Sequence, residues 1–161
     1  MDQPLTHGMF SVGNFYTDTI KSSPIFHSTN RCLDLGMLEP NFRTKVVRIL
    51  QTSPLPLQVF ETYRSAERQV LLYEQRATEL RTVGVHHYGL ACDIVKSING
   101  EPSWKGDFSF LGKLAESVGV VWGGSWTTIK DMDHVQWCDL RDQPQLFAGT
   151  WYPDANYNPT L

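Results

Sequence analysis

Two short blocks, His86-His87-Tyr88-Gly89-Leu90-Ala91-Cys92-Asp93 and Asp131-Met132-Asp133-His134, lie far apart in a chain of 161 residues. Their imidazoles and carboxylates can act together only in a fold that brings the two segments side by side. The local pattern indicates how. Leu90 to Val95 reads as a strand, and strand alternation sets Asp93 on the face opposite Cys92 and Ile94, which makes Cys92 a core residue. His134-Val135-Gln136-Trp137 and Val120-Val121-Trp122 read as further short strands, so a sheet is expected to carry the polar groups.

The rest of the chain supplies the layer against which such a sheet packs. From Glu39-Pro40 onward, Phe42, Val46, Val47, Ile49 and Leu50 recur at near-helical spacing until Ser53-Pro54, with Pro40 suited to a first helical turn. Leu57 to Thr62 is rich in β-formers and reads as a strand. Ser65 can cap a second helix through Tyr73, broken by Thr82-Val83-Gly84, and Asp107 a third through Val118, ended by Gly119. Helices and short strands in an order unlike regular β-α-β alternation predict an α+β fold, a small antiparallel sheet with flanking helices. At this length one domain over residues 1–161 is expected. It includes an irregular N-terminal segment, 1–35, and a Pro/Asn/Asp-rich C-terminal extension, 139–161, that wraps the surface.

Composition removes several classes of function. A net charge of -3 without a Lys/Arg cluster gives no basic face for nucleic acid. No apolar run is long enough to span a bilayer, and the N-terminus lacks the basic and apolar regions of a classical signal peptide. Cys32, Cys92 and Cys138 are odd in number and widely spaced, which suits free, mostly buried thiols in a protein made in a reducing cytoplasm.

His86, Asp93 and His134 form a candidate metal-ligand set. Two neutral imidazoles and a carboxylate leave a net positive centre for Zn2+, with a fourth position open to water, and an additional acid nearby can accept a proton. A histidine in a Gly-rich turn can also be an ordinary hydrogen-bonded group, but Gly89 and Ala91 between His86 and Asp93 allow close backbone approach. His87, beside a ligand in an extended segment, is expected to face away and is left outside the set.

The ordered pattern H-x-x-G-x-A-x-D, W-G-G-x-W (Trp122 to Trp126) and D-x-x-H, with Thr62-Tyr63-Arg64-Ser65 and Gln69 upstream, resembles the zinc peptidases related to D-Ala-D-Ala carboxypeptidases. Within them it is most similar to the L-alanyl-D-glutamate peptidases of phage endolysins. The resemblance covers roughly Val59 to Trp137. It implies the hedgehog/DD-peptidase type of fold, zinc on His86, Asp93 and His134, and Asp131 as the acid/base. Asp133 is the rival for that role, but alternation on a strand turns it to the opposite face from His134. Arg64 resembles the family's substrate-side arginine, which can pair with a substrate carboxylate or a developing oxyanion, with a structural ion pair as the alternative. Gln69, Tyr88 and Trp126 are the further candidate substrate contacts. Gly84 stands where a serine is common in the family.

The expected activity is hydrolysis of peptidoglycan stem peptides at the L-Ala-D-Glu bond by a metal-activated water, as in a wall-lysing enzyme. The alternatives are a D-alanyl-D-alanine carboxypeptidase or dipeptidase and a non-catalytic, zinc-stabilised wall-binding module. The expected partner is the peptidoglycan peptide, with the chain monomeric. Without a classical signal it would reach the wall through a phage holin or a similar route.

Overall fold

The computed structural model describes residues 13–154. Its centre is an antiparallel sheet built from β1 (Leu57–Glu61), β2 (Ala91–Ile98), β3 (Glu101–Ser103), β4 (Val121–Trp122) and β5 (His134–Gln136). The order is β1-β2-β5-β4, with β3 also paired to β2. Four α-helices flank it: α1 (Pro40–Thr52), α2 (Ala66–Glu74), α3 (Ser109–Val118) and α4 (Gln143–Ala148). This is the α+β architecture expected from the sequence.

Helix boundaries follow from capping. At the start of α1 the buried Glu39 carboxylate accepts from the backbone N–H groups of Asn41 (2.8 Å) and Phe42 (3.1 Å), satisfying donors that a first turn leaves free. Ser65 Oγ accepts from Arg68 N (2.9 Å) at the start of α2, as its position suggested. Asp107 does accept from Ser109 N, but α3 begins at Ser109 with Phe108 in the cap position. α2 ends at Glu74, well before Gly84, and residues 75–84 form neither helix nor strand.

Alternation along the strands divides the sheet into two chemistries. Cys92, Ile94 and Val135 point to one face, where they pack with Phe42, Val46 and Ile49 of α1 and Leu111 and Ala115 of α3. All of these are at most 1% exposed, so truncating Phe42 or Ile94 to Ala is expected to cost about 3–5 kcal/mol or 2–5 kcal/mol, respectively. The other face carries Asp93, His134 and Gln136. A second cluster beside that face joins Tyr16, Ile20, Tyr63, Tyr88, Leu90, Leu146 and Tyr152. The described parts of the two terminal segments, 13–35 and 139–154, thus help to form the core. The N-terminal one includes the helical turn Tyr16–Ile20, and the C-terminal one includes α4.

Gly89 joins the second cluster to β2. It has φ +70°, and a Cβ there would lie 2.7 Å from both Ile20 Cδ1 and Met37 O. Glycine satisfies both the left-handed backbone and the close approach.

His87 turns into the aromatic cluster, its Nε2 2.7 Å from Tyr16 Oη and its ring against Phe26 and Tyr63. It is neither at the surface nor beside the metal-ligand candidates. Burial lowers its pKa from 6.5 to about 4, outweighing the opposing Glu67 charge. Between those values the unfolded chain binds the proton that the folded chain refuses, so stability is complete above pH 6.5 and is lost as the pH falls towards 4. Denaturant titrations at pH 7 and pH 4.5 should show His87→Phe losing about 2–3 kcal/mol less than the parent over this window. Equal losses would contradict the assignment.

Candidate metal centre

Pairing register builds the site. Asp93 of β2 lies directly opposite His134 of β5 and, on its other side, opposite Glu61 of β1. Residues opposite one another in an antiparallel pair project from the same face with neighbouring Cβ atoms. A bulge between Val59 and Glu61 shifts the register that brings Glu61 to Asp93. His86 arrives from the turn Val85–Tyr88 just ahead of β2. One donor atom from each of His86, Asp93 and His134 falls within 4.8 Å of the others, and all three residues are buried.

The protonation pattern of these groups is set by their outer contacts. His86 Nδ1 faces the Thr62 carbonyl at 2.7 Å, and a carbonyl can only accept, so Nδ1 carries a hydrogen and Nε2 is the inner nitrogen. Gln136 donates its amide N–H to Cys138 O (2.6 Å), which turns its Oε1 towards His134 Nε2 at 2.8 Å. His134 Nε2 is thereby a donor and Nδ1 is its inner nitrogen. The inner nitrogens of both rings face Asp93 Oδ1, from 3.2 and 3.3 Å. Each inner nitrogen either carries a proton donated to Asp93 or, with a metal ion between them, turns a lone pair on that ion, and imidazoles fixed through their outer nitrogens are the usual arrangement around a bound metal. The residues therefore fit a divalent metal with N/O preference.

Electrostatics agree with a charged Asp93. Burial alone would raise its pKa, but the adjoining His86 and His134 outweigh it and hold the carboxyl far below the usual range. Burial likewise opposes a charge on His134, yet the Asp93 contact raises its pKa.

Around this centre is a cleft of about 420 Å³ lined by Arg64, Gln69, His86, Trp126, Asp131 and His134, among others. Asp131 Oδ2 is 3.8 Å from His134 Nδ1, and its side chain is 46% exposed, so it reaches both solvent and the centre. The first glycine of the W-G-G-x-W motif explains its position: Asp131 N donates to Gly123 O (3.1 Å), and a Cβ on Gly123 would lie 2.4 Å from Asp131 O. Trp122 Nε1 donates to Met132 O (2.8 Å) and the Trp126 ring packs 5.2 Å from His134, so the motif braces the segment that carries both Asp131 and His134.

Three expectations change. Asp133 precedes β5 in a turn, so strand alternation does not govern it; its carboxylate comes within 4.8 Å of those of Asp93 and Asp131 and accepts from Trp104 Nε1 (2.9 Å). Burial, reinforced by the charges of Asp93 and Asp131, pushes its pKa up to about 8. Tyr88 does not wall the cleft. It is buried in the second core cluster, 4.8 Å from the Tyr16 ring, because the turn that exposes His86 to the site points the following aromatic inward. Gln69 lines the cleft but has both ends engaged, accepting from Arg64 Nη1 (3.2 Å) and donating to Leu80 O (2.6 Å), which makes it a brace. Arg64 itself is held by Glu61 Oε1 through Nε (3.0 Å) and Nη2 (2.6 Å) and approaches Asp93 Oδ2 at 3.4 Å. Thr62, Gln136 and Glu61 were missed, although Gln136, two residues from His134 on a strand, could have been found from alternation.

The family described as D-alanyl-D-alanine carboxypeptidase matches residues 78–137, the stretch that contains His86, Asp93, Asp131 and His134. The peptidoglycan L-alanyl-D-glutamate endopeptidase CwlK of Bacillus subtilis (strain 168) is 27% identical over 48% of this chain and 58% of its own length. In three dimensions the chain is similar to the L-Ala D-Glu endopeptidase ChiX of Serratia marcescens. The TM-score is 0.57 with 27% identity, covering 73% of this chain and 96% of that one. The chain is similar to peptidoglycan peptidases in sequence and in fold. The match spans less than two thirds of CwlK, and Arg64, Gln69 and the segment after Trp137 lie outside the family's matched residues.

The outer contact of His134 gives a direct test of the metal-centre geometry. Gln136→Leu removes the acceptor that fixes the ring, and zinc affinity measured by competition with a chelating dye should weaken by about 10–100-fold. Unchanged affinity would mean that Gln136 does not orient His134 for the metal.

Proposed function

We propose that this chain is a zinc metallopeptidase that hydrolyses the L-Ala-D-Glu bond of peptidoglycan stem peptides. The observation that carries the reading is the convergence of the His86, His134 and Asp93 inner atoms beside the exposed carboxylate of Asp131. Zinc held by His86, Asp93 and His134 would supply Lewis acidity at the open side of the cleft. Asp131 takes a proton from the attacking water and delivers it to the leaving amine, and its partial exposure keeps it available for both transfers. Trp126, packed on His134 at the cleft wall, is the proposed substrate contact. Arg64, fixed by Glu61 and Gln69, directs a preorganised guanidinium edge at the cleft for the oxyanion that develops on the scissile carbonyl.

The use of Arg64 for the oxyanion favours an endopeptidase over the D-alanyl-D-alanine carboxypeptidase named by the family description. A carboxypeptidase needs a further cation for the terminal carboxylate, and Arg64 is the sole Lys or Arg lining the described cleft. The names of CwlK and ChiX support the same bond. A purely structural zinc site is usually closed by four protein ligands, whereas three converge here with a spare acid, which argues against the binding-module reading. One continuous sheet with shared cores supports a single domain, and we propose that it acts as a monomer on the wall after release from the cell by a holin-like route. No helix among the described residues is long and apolar enough to cross a membrane.

Purified peptidoglycan incubated with the protein should release stem peptides lacking L-alanine, identified by mass spectrometry, in a reaction abolished by a chelator and restored by zinc. Release of D-alanine alone would contradict the bond assignment. Asp131→Asn should retain zinc yet lose about 10²–10⁴-fold in kcat; full activity would remove Asp131 from the mechanism.

A further inference from the structure

The cleft has a wall that the proposed chemistry does not use. Leu80, Leu140 and Phe147 are large apolar side chains left 57%, 54% and 43% exposed, and all three line this one cleft with Val83 and Gln143. They come from two separate segments. Leu80 and Val83 belong to the irregular run after α2, anchored where Gln69 donates to Leu80 O. Leu140, Gln143 and Phe147 belong to the segment containing α4, which begins after the family match has ended at residue 137. That segment is firmly seated: Leu146 is fully buried in the second core cluster, Gly149 closes the helix in a left-handed conformation, and the Phe147 ring lies 6.0 Å from that of Tyr88. Apolar side chains fixed in an open cleft are held ready for an apolar part of the ligand.

We infer that Leu80, Leu140 and Phe147 form a specificity subsite for the uncharged, N-acylated alanine side of the stem peptide. This rests on the proposed L-Ala-D-Glu endopeptidase. The choice of side follows from charge. None of Leu80, Val83, Leu140, Gln143 and Phe147 is ionisable, so a carboxylate laid on this shelf would lose its hydration without gaining a cation. In a peptide containing an L-Ala-D-Glu bond the carboxylates lie on the glutamate side. The alanine side offers a methyl group and, in an intact wall strand, an acylated and uncharged nitrogen. A free ammonium at that nitrogen would be desolvated on the same shelf. Each buried methyl or methylene contributes roughly fourfold in binding, and loss of the ammonium adds to it.

The test uses the full, zinc-loaded chain and two soluble peptides, N-acetyl-L-Ala-γ-D-Glu-L-Lys and the same peptide with a free amino terminus. The parent protein should favour the acetylated peptide by about tenfold or more in kcat/KM. Leu140→Ser/Phe147→Ser should bring that ratio close to one, and Leu80→Ser, from the separate segment after α2, should lower it independently. Ile98→Ser, an exposed apolar position on β2 that does not line the cleft, should leave the ratio as in the parent. Cleavage of both peptides at equal rates, or a preference that survives all the cleft variants, overturns the subsite and leaves the endopeptidase standing. If neither peptide is cut at L-Ala-D-Glu, the endopeptidase reading fails and the subsite falls with it.

Discussion

The register between β2 and β5 is the constraint on which the site depends. With Asp93 opposite His134, the carboxylate and imidazole share one sheet face, and Cys92, Ile94 and Val135 necessarily share the other. A slip of one residue would exchange these sets, burying the charged groups against α1 and α3 and exposing the apolar ones. The free energy that specifies the site is therefore largely the burial of Cys92, Ile94 and Val135 on the far side of the sheet, away from the candidate ligands. The polar face contributes a different effect: two imidazoles and a carboxylate are held by the packed sheet with their inner atoms around one point, where a cation fits.

Around that register the molecule adds braces in layers. Thr62 O and Gln136 Oε1 fix the imidazoles, and Glu61 and Gln69 fix Arg64. Gly123, Trp122 and Trp126 fix the segment from Asp131 to His134. Gln69 also reaches Leu80 O, so one buried amide couples the guanidinium to the cleft wall. The contacts of Thr62 O and Gln136 with the imidazoles are buried, where a fixed donor or acceptor is worth more than it would be in water.

Much of this was legible in the sequence because strong local signals coincide with the site. Pro40 with a following 3.6-residue pattern, Ser65 as a cap and Gly119 as a stop mark real boundaries, and alternation from Leu90 to Val95 correctly separates Cys92 from Asp93. The ligand candidates were found because small residues and histidines recur at a spacing with few other uses. The parts that were not legible depend on tertiary context. α4 spans only Gln143–Ala148, too short for a periodic pattern to emerge from a Pro/Asn/Asp-rich background. β3 is a three-residue strand formed by the turn at Asn99-Gly100. Asp133 was misjudged because the strand begins one residue later, and Tyr88 because a tight turn, with Gly89 in the left-handed region, sends it into the core.

The central claim is that two imidazoles and one carboxylate, with no thiolate, hold a single metal ion. X-ray absorption at the zinc edge, on protein loaded with one equivalent of zinc, tests it most directly. The account predicts a first shell of nitrogen and oxygen only, at about 2.0–2.2 Å, with the outer-shell scattering of two imidazoles. A sulfur contribution near about 2.3 Å, or zinc bound without imidazole, would contradict it.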